Sequence, residues 1–285
     1  MAADKTCDAG VTGHDTARQA PVKEKPAPLE KLPQPEQSSI KHTIAVMSGK
    51  GGVGKSTVTA LLAAALAKEQ QAVGILDADI TGPSIPKLFG LKEQPVSLPM
   101  GIIPPKTLLG IRVMSLNLLL PHEDDPVIWR GPLIAGAVRQ FWTDVIWGDL
   151  DYLVIDLPPG TGDAPLTVLQ SLPLDGIIIV SSPQELAIMV VKKAVKMAAM
   201  LNVPVLGLVE NMAYLTCPHC GEKIELFGPS RAAAVSKELG LPYLGSFPVD
   251  PKLAEVGDRG EIERYQVDFP VDFLLRLETG ARPAH

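Results

Sequence analysis

Gly49-Lys50-Gly51-Gly52-Val53-Gly54-Lys55-Ser56-Thr57 fits the phosphate-loop pattern G-x-x-x-x-G-K-[ST]. An apolar run, Thr43–Ser48, precedes the stretch and predicts a buried strand, and a helical pattern from Lys55 to Lys68 follows it. In this strand–loop–helix order, the backbone N–H groups at the helix N-terminus can wrap phosphate groups. A glycine-rich turn without a ligand would need neither the lysine nor the four glycines. The stretch therefore predicts a nucleotide-phosphate site.

The polar side chains at the end of this loop have distinct predicted roles. We expect Lys55 to neutralise β- and γ-phosphate charge and the Ser56 hydroxyl to coordinate magnesium. We expect Thr57 to lie near the α-phosphate. The ligands predicted for the loop are therefore ATP and Mg²⁺.

Short apolar strands alternate with helical patterns along the rest of the chain. The strands are nearly continuous runs of β-branched and aliphatic residues, which indicates burial on both faces. This pattern predicts an α/β fold in which a mainly parallel, doubly wound sheet carries helices on both faces. The further predicted strands are Val73–Asp77, Arg112–Leu116, Tyr152–Asp156, Gly176–Ser181 and Val205–Glu210, and the further predicted helices are Gly131–Trp147 and Gln184–Leu201.

Composition divides the chain into two parts. Residues 1–40 are rich in Ala, Lys, Glu, Gln and Pro and have almost no bulky apolar side chains, so we predict a disordered tail in which Cys7 is an incidental thiol. No linker or internal repeat follows. The whole 285-residue chain is 46% hydrophobic, enough for a sizeable core, and the part after the tail predicts one domain over residues 41–280.

Charge and hydropathy narrow the function classes. A net charge of −6 argues against a general nucleic-acid binder, which would present a basic face. No run of about 18 apolar residues is present, and the N-terminus lacks a signal pattern, so we expect a cytoplasmic protein with no transmembrane helix. The C-terminal stretch Val271–Leu277 is amphipathic but short and not basic, which disfavours membrane recruitment.

Acidic residues follow two of the predicted strands. Because ligands in open α/β sheets bind at the carboxyl ends of strands, Asp77, Asp79 and Asp156 should converge on the phosphate loop. Asp156 is followed by the glycine-rich stretch Pro158–Asp163, and we expect its carboxylate to hold magnesium. Asp77 is equally compatible with a simple turn residue.

Together these motifs resemble those of a known group of ATPases. Lys50–Thr57 looks like the deviant Walker A motif of the MinD/ParA/Mrp class of P-loop ATPases, in which the first lysine reaches across a dimer to the partner's nucleotide. The segment Asp77–Pro86 resembles switch I of the Mrp/ApbC branch, and Asp156–Asp163 resembles its Walker B and switch II region. The resemblance implies that Lys50, Lys55, Asp79 and Asp156 are catalytic, with Asp79 positioning the attacking water and contributing, like Asp156, on the magnesium side.

The resemblance also implies contacts to the base. Glu210–Met212 is similar to the segment whose asparagine contacts adenine, so Asn211 is the predicted adenine contact. Pro248 and Asp250 stand where such proteins line the base.

Cys217-Pro-His-Cys220 forms a C-x-x-C turn inside the segment 211–228, which we call the cysteine segment. Such a turn lets two thiolates hold one metal, but a tetrahedral thiolate site or a four-iron cluster usually has four sulfur ligands. A two-fold dimer would supply the missing pair. The resemblance agrees, since it implies a [4Fe-4S] cluster that bridges a homodimer. A zinc site across the dimer, or two unligated thiols, remain open alternatives.

The chain departs from one branch of this family. Eukaryotic cytosolic relatives carry an N-terminal motif with four cysteines, whereas the tail here has only Cys7. The expected function is an ATP-hydrolysing iron–sulfur cluster carrier that transfers its cluster to apo-proteins. The alternatives are a MinD/ParA-like positioning ATPase and an ATP-dependent dimeric zinc-site protein.

Overall fold

The computed structural model describes residues 32–34, 36–79, 82, 84–120 and 131–276. Within these residues the strands are β1 (Ser38–Ser48), β2 (Val73–Asp77), β3 (Val96–Leu98), β4 (Gly101–Ile103), β5 (Arg112–Ser115), β6 (Gly148–Asp156), β7 (Gly176–Ser181), β8 (Val205–Glu210), β9 (Leu215–Thr216), β10 (Lys223–Ile224) and β11 (Tyr243–Ser246).

The α-helices connect these strands. They are α1 (Lys55–Lys68), α2 (Ile85–Leu88), α3 (Gly131–Thr143), α4 (Asp163–Ser171), α5 (Glu185–Met200), α6 (Ala232–Leu239), α7 (Pro251–Asp258) and α8 (Asp272–Leu275). Short 3₁₀ helices lie at Leu116–Leu119 and Ile262–Arg264.

Seven strands form one sheet in the order β11-β8-β7-β1-β6-β2-β5, and every neighbouring pair is parallel. Strand β1 lies at the centre, so the chain winds outward from it in both directions. The predicted α/β fold with a parallel, doubly wound sheet is confirmed.

Successive side chains of β1 enter different cores, which explains its continuous apolar sequence. Ile44 and Val46 pack with the buried face of α1. Ala45 and Met47 pack on the opposite side of the sheet, in the cluster that includes buried residues of α3, α4 and α5. Burial on both faces fixes the strand in the middle of the molecule.

Because the strands are parallel, the carboxyl ends of β1, β2 and β6 lie at one edge of the sheet. Asp77 at the end of β2 pairs with Asp156 at the end of β6, and Val46 of β1 pairs with the same Asp156. The loop that leaves β1 therefore lies directly above both aspartates, at the carboxyl edge of the sheet.

Helix α3 is shorter than the sequence pattern predicts. We expected it to continue to Trp147, but it ends at Thr143. The next residues pair instead with β4, because the Ile102 N–H donates to the Asp144 carbonyl and the Ile146 N–H donates to the Ile102 carbonyl. This β-type pairing removes the residues from the helix, while Trp147 remains fully buried.

The domain begins before the predicted boundary at residue 41. Strand β1 starts at Ser38, and the Trp142 indole N–H donates a 2.7 Å hydrogen bond to the Pro33 carbonyl. The rest of the predicted tail, residues 1–31, lies outside the described residues. None of the helices described is both long and apolar enough to cross a membrane.

Candidate nucleotide and metal sites

The phosphate loop connects β1 to α1 at the edge where the aspartates lie. Gly54 precedes the helix in a left-handed conformation, with φ of +79°, which glycine adopts without strain. A Cβ at this position would also lie 2.1 Å from the Asn211 side-chain nitrogen. Glycine at position 54 thus lets the loop take this path beside Asn211 without backbone strain.

Lys55 starts α1 and turns its ammonium group into the site. Its Nζ lies 2.7 Å from an Asp156 carboxylate oxygen and 3.6 Å from an Asp79 carboxylate oxygen. The lysine side chain is buried, so its charge is compensated by these two carboxylates rather than by water. An ammonium group held here can meet phosphate oxygens that enter the loop.

Asp156 is fully buried, and both of its carboxylate oxygens accept hydrogen bonds. Ser56 Oγ donates to its Oδ2 at 2.6 Å, and Thr59 Oγ1 donates to its Oδ1 at 2.7 Å. A hydroxyl and carboxylates at such distances are hard oxygen ligands of the kind that Mg²⁺ takes together with phosphate oxygens. The residues present therefore fit a magnesium ion, with Ser56, Asp156 and Asp79 as the groups that would hold it.

Asp77 lies beneath this cluster and is hydrogen-bonded by two donors. Ser115 Oγ donates to it at 3.0 Å, and the Asp79 backbone N–H donates to its other oxygen at 3.1 Å. Burial raises the pKa of Asp77 well above its usual value, and the charge of Asp156 adds to this effect, while Lys55 and Ser115 oppose it. Asp77 is therefore buried and accepts a hydrogen bond from the backbone at Asp79, so it does more than form a turn.

A cleft opens above these groups. It has an open mouth, and its walls come from the phosphate loop, the segment after β2 and the segment after β6. The lining residues are Ser48, Gly51, Gly52, Gly54, Lys55, Ser56, Thr57, Asp79, Gly82, Ser84 and Pro159.

Loop residues Gly49, Lys50 and Val53 are not part of this lining. Gly49 packs against Val190 of α5, and Val53 is buried. The Lys50 ammonium donates a hydrogen bond to the Gln184 side chain within its own chain. Lys50 therefore lies at the rim of the loop, outside the cleft formed by its own chain.

Two of the three predicted base contacts, Asn211 and Asp250, are hydrogen-bonded to other parts of the protein. Asn211 is buried, and its side chain donates a 2.9 Å hydrogen bond to the Val53 carbonyl. Asp250 caps α7 by accepting from the Lys252 N–H at 2.9 Å, and its other oxygen accepts from the Tyr265 hydroxyl at 2.7 Å. Asn211 thus lies against the loop at Val53 and Gly54, but neither it nor Pro248 or Asp250 lines the cleft.

Cys217 and Cys220 lie at the tip of the β9–β10 hairpin. The Gly221 N–H donates to the Cys217 carbonyl at 3.0 Å, and the Cys217 N–H donates to the Glu222 carbonyl at 2.8 Å, which closes the turn. Cys217 is half-buried and Cys220 is exposed. Hydrogen bonds from the backbone at Cys220 and His219 and from the Cys220 side chain lower the pKa of the Cys217 thiol, which favours the thiolate.

A pair of thiols on an exposed turn can ligate a metal ion but cannot complete a site. Throughout the described part of the chain, no three histidine, cysteine, aspartate or glutamate side chains are grouped as they would be around a metal ion. The donors present fit a soft metal or an iron–sulfur cluster whose remaining ligands come from elsewhere.

Two site residues escaped the sequence interpretation. Thr59 lies in the predicted helix Lys55–Lys68 and follows Ser56 by three positions, so it faces the same way along α1. Gln184 gave no signal, because it is separated from Lys50 by 134 residues. Helical spacing could have identified the threonine, but nothing local could have identified the glutamine.

Comparisons with known proteins identify the family of this chain. The ParA family model, described as NUBPL iron-transfer P-loop NTPase, matches residues 39–270. The iron-sulfur cluster carrier protein of Methanocaldococcus jannaschii is 53% identical over 225 residues, which are 78% of each chain. The protein of the same name from Clostridium perfringens is 48% identical over 245 residues, covering 83% of this chain and 86% of its own.

Among solved structures, one similar chain is high in identity and another shares only the fold. A nucleotide-binding protein from Archaeoglobus fulgidus, solved in complex with ADP, is 51% identical, has a TM-score of 0.73 and covers 80% of this chain and 90% of its own. The MinD cell division protein of Aquifex aeolicus has a TM-score of 0.58 at 22% identity, covering 86% of this chain and all of its own. The second likeness concerns the fold alone.

Proposed function

The chain belongs to the ParA family of NUBPL iron-transfer P-loop NTPases, and from this membership we propose that it hydrolyses Mg·ATP and carries an iron–sulfur cluster between two copies of itself. The observation that carries the proposal is the hairpin-tip pair Cys217 and Cys220, two thiols without a third ligand in the described residues, on a chain that also has a complete phosphate loop. A nucleotide site alone would not need the thiols.

The nucleotide half of the proposal uses the groups around Asp156. Phosphates enter the loop and Lys55 turns to them, and Ser56, Asp156 and Asp79 would hold the Mg²⁺ that offsets phosphate charge. Asp79 positions the water that attacks the γ-phosphorus, and the bond to the β-phosphate oxygen breaks. The base lies toward Asn211, with Pro248 and Asp250 nearby.

The dimer completes what one chain lacks. Lys50 lies at the rim of its own loop, where it can leave Gln184 and reach the nucleotide of a second copy. The two copies together bring four thiols, from Cys217 and Cys220 of each chain, to one [4Fe-4S] cluster. The cluster is the cargo of this protein, and apo-proteins that need it are the acceptors.

Anaerobic reconstitution with iron and sulfide tests the proposal. We expect a brown protein with about two iron and two sulfide ions per chain, since one four-iron cluster is shared by two chains. We expect the dimer by light scattering, and transfer of the cluster to an apo-ferredoxin. The double variant Cys217→Ser/Cys220→Ser should lose all three properties.

Cys7→Ser is the matched control, because it removes a cysteine of the N-terminal region and leaves the hairpin intact. If the double variant binds as much iron and sulfide as the wild type, the assignment of the cysteines is wrong. If the protein binds zinc and no sulfide, the zinc-site alternative is correct and the cluster proposal is wrong.

A further inference from the structure

The cysteine segment leaves the sheet next to Glu210, the last residue of β8, and the chain returns to the body of the protein at Ser230. The outgoing part is held by backbone pairing, since the Ala213 N–H donates to the Phe247 carbonyl and the Val249 N–H donates to the Tyr214 carbonyl. The returning part after β10 is almost entirely exposed. Its position therefore depends on few contacts.

One of these contacts joins the two ends of the segment. Ser230 Oγ donates a 2.5 Å hydrogen bond to Glu210 Oε2, across 20 residues of sequence. Glu210 is 2% exposed, and burial raises the pKa of its carboxyl group, although the Ser230 hydrogen bond opposes this. A buried carboxyl group with one surface hydroxyl as its donor is a costly arrangement, so the bond fixes where Ser230 lies.

The residue after Glu210 is held by the phosphate loop. Asn211 donates from its side chain to the Val53 carbonyl at 2.9 Å and from its backbone to the Ser181 carbonyl at 2.8 Å. The Glu210 carbonyl accepts from the Phe247 N–H at 2.8 Å. Two consecutive residues thus contact the nucleotide loop on one side and the base of the cysteine segment on the other.

We propose that Glu210 is a positioning residue for Cys217 and Cys220, and that the pair Glu210–Asn211 carries nucleotide occupancy of the phosphate loop to the cysteine segment. Bound nucleotide orders Gly52 and Gly54, which line the cleft on either side of Val53. The Val53 carbonyl then fixes Asn211, and the backbone between Asn211 and Glu210 fixes the Ser230 end of the segment. The segment is then more ordered with nucleotide than without it. This inference deepens the proposed function and rests on it, but the contacts that carry it involve no iron–sulfur cluster.

Amide hydrogen exchange on the full-length, reduced, metal-free protein tests the coupling directly. Mg·ADP at saturation is the probe, and peptides covering residues 49–57 report that it has bound. We expect exchange in peptides covering residues 215–230 to slow about fivefold when nucleotide binds, which is the lower end of ordinary coupling between two sites. In Glu210→Ala the same peptides should exchange at rates that no longer respond to Mg·ADP.

Three further variants separate positioning from general damage. Ser230→Ala removes the same hydrogen bond from the exposed side and should also lose the response, whether or not Glu210→Ala folds. Glu210→Gln keeps an acceptor for Ser230 and should retain the response. Leu226→Ala, which shortens an exposed side chain of the same returning part without changing a charge, is the matched control and should also retain it.

The proposal is overturned if amide exchange in residues 215–230 of the wild type does not change when Mg·ADP binds. It is also overturned if the response survives in Ser230→Ala. Because no metal is present, neither result bears on whether the protein carries a cluster, and the iron and sulfide count decides that question separately.

Discussion

The Ser56 hydroxyl donates a 2.6 Å hydrogen bond to the Asp156 carboxylate, which joins the first turn of α1 to the end of β6. The same carboxylate faces the Lys55 ammonium at 2.7 Å. A hydroxyl, a carboxylate and an ammonium group thus meet at one buried point. Under the proposed function, Mg·ATP would give each of these groups a partner on the ligand. Lys55 would exchange Asp156 for phosphate oxygens, while the hydroxyl and the carboxylate already lie side by side as ligands for Mg²⁺.

Asp156→Asn should abolish most of the ATP hydrolysis. The substitution keeps the shape but removes the charge that balances Lys55 and holds magnesium, so we expect the turnover rate to fall by about 100-fold or more. Leaving the buried lysine without its closest carboxylate should also lower the free energy of unfolding by about 3 kcal/mol. Phosphate release and urea denaturation measure the two effects.

Thr59→Val is the control for that experiment. It removes the 2.7 Å hydrogen bond to the other oxygen of Asp156 but leaves the ion pair intact. We expect a loss of about 1 kcal/mol in unfolding free energy and hydrolysis within about tenfold of the wild type. Equal losses of hydrolysis in the two variants would contradict a special role for the charge of Asp156.

Gly54→Ala should damage the loop much more than Gly52→Ala. Both glycines have φ of +79°, so an alanine costs about 1–2 kcal/mol at either position. Only at Gly54 would the new Cβ also meet a neighbour, the Asn211 side-chain nitrogen at 2.1 Å, while nothing lies within 4 Å at Gly52. Urea denaturation without nucleotide measures the difference, and equal losses would mean that Asn211 moves aside freely.

The sequence predicted the elements that burial and glycine chemistry define locally. Helix α1 has the bounds expected from the glycine-rich loop and the apolar run behind it, and β2, β7 and β8 have the expected bounds because both of their faces are buried. The convergence of Asp77 and Asp156 followed from parallel strands alone. These features need only short stretches of sequence.

What could not be predicted depends on contacts between distant residues. The end of α3 is set by Ile102, more than 40 residues away, which pairs with the chain at Asp144. Asp250 was expected near the base, but whether its carboxylate is already engaged depends on Tyr265, 15 residues further on. Single-sequence patterns carry no information on such pairings.

Lys50 should act on a partner's nucleotide, and the comparison of two variants tests this. Lys50→Ala should lower the turnover rate by about 1000-fold, as expected for a cation supplied across an interface, and should leave Mg·ATP binding to the isolated chain little changed. Gln184→Ala removes only the intrachain partner of the ammonium group and should keep the activity. Phosphate release over a range of protein concentrations measures both.

In that experiment the specific activity of the wild type should rise with protein concentration as dimers form. Activity that stays constant upon dilution, or a loss in Gln184→Ala as large as that in Lys50→Ala, would place the action of Lys50 within its own chain.

Asp151 should make the stability of the fold depend on pH, far from the cleft. Burial raises the pKa of its carboxyl group, but the hydrogen bonds from the Lys41 ammonium at 2.6 Å and from the Ala72 N–H at 2.7 Å, with the charges of Lys41 and His42, outweigh burial and leave the pKa below its usual value. The ionised carboxylate therefore stabilises the folded protein. That stabilisation is present above the pKa of the unfolded chain and is lost as the pH falls through the folded pKa.

Asp151→Asn should accordingly cost about 1 kcal/mol in unfolding free energy at pH 7, and the difference from the wild type should shrink as the pH falls below about 4. Urea denaturation over this pH range measures it. Lys41→Met, which removes one of the two hydrogen-bond donors, should show a smaller loss with the same pH dependence. If the loss of unfolding free energy in Asp151→Asn instead stays constant down to pH 3, Asp151 contributes through packing and neutral hydrogen bonds. Protonation of Asp151 removes only the stabilisation that comes from its ionised carboxylate.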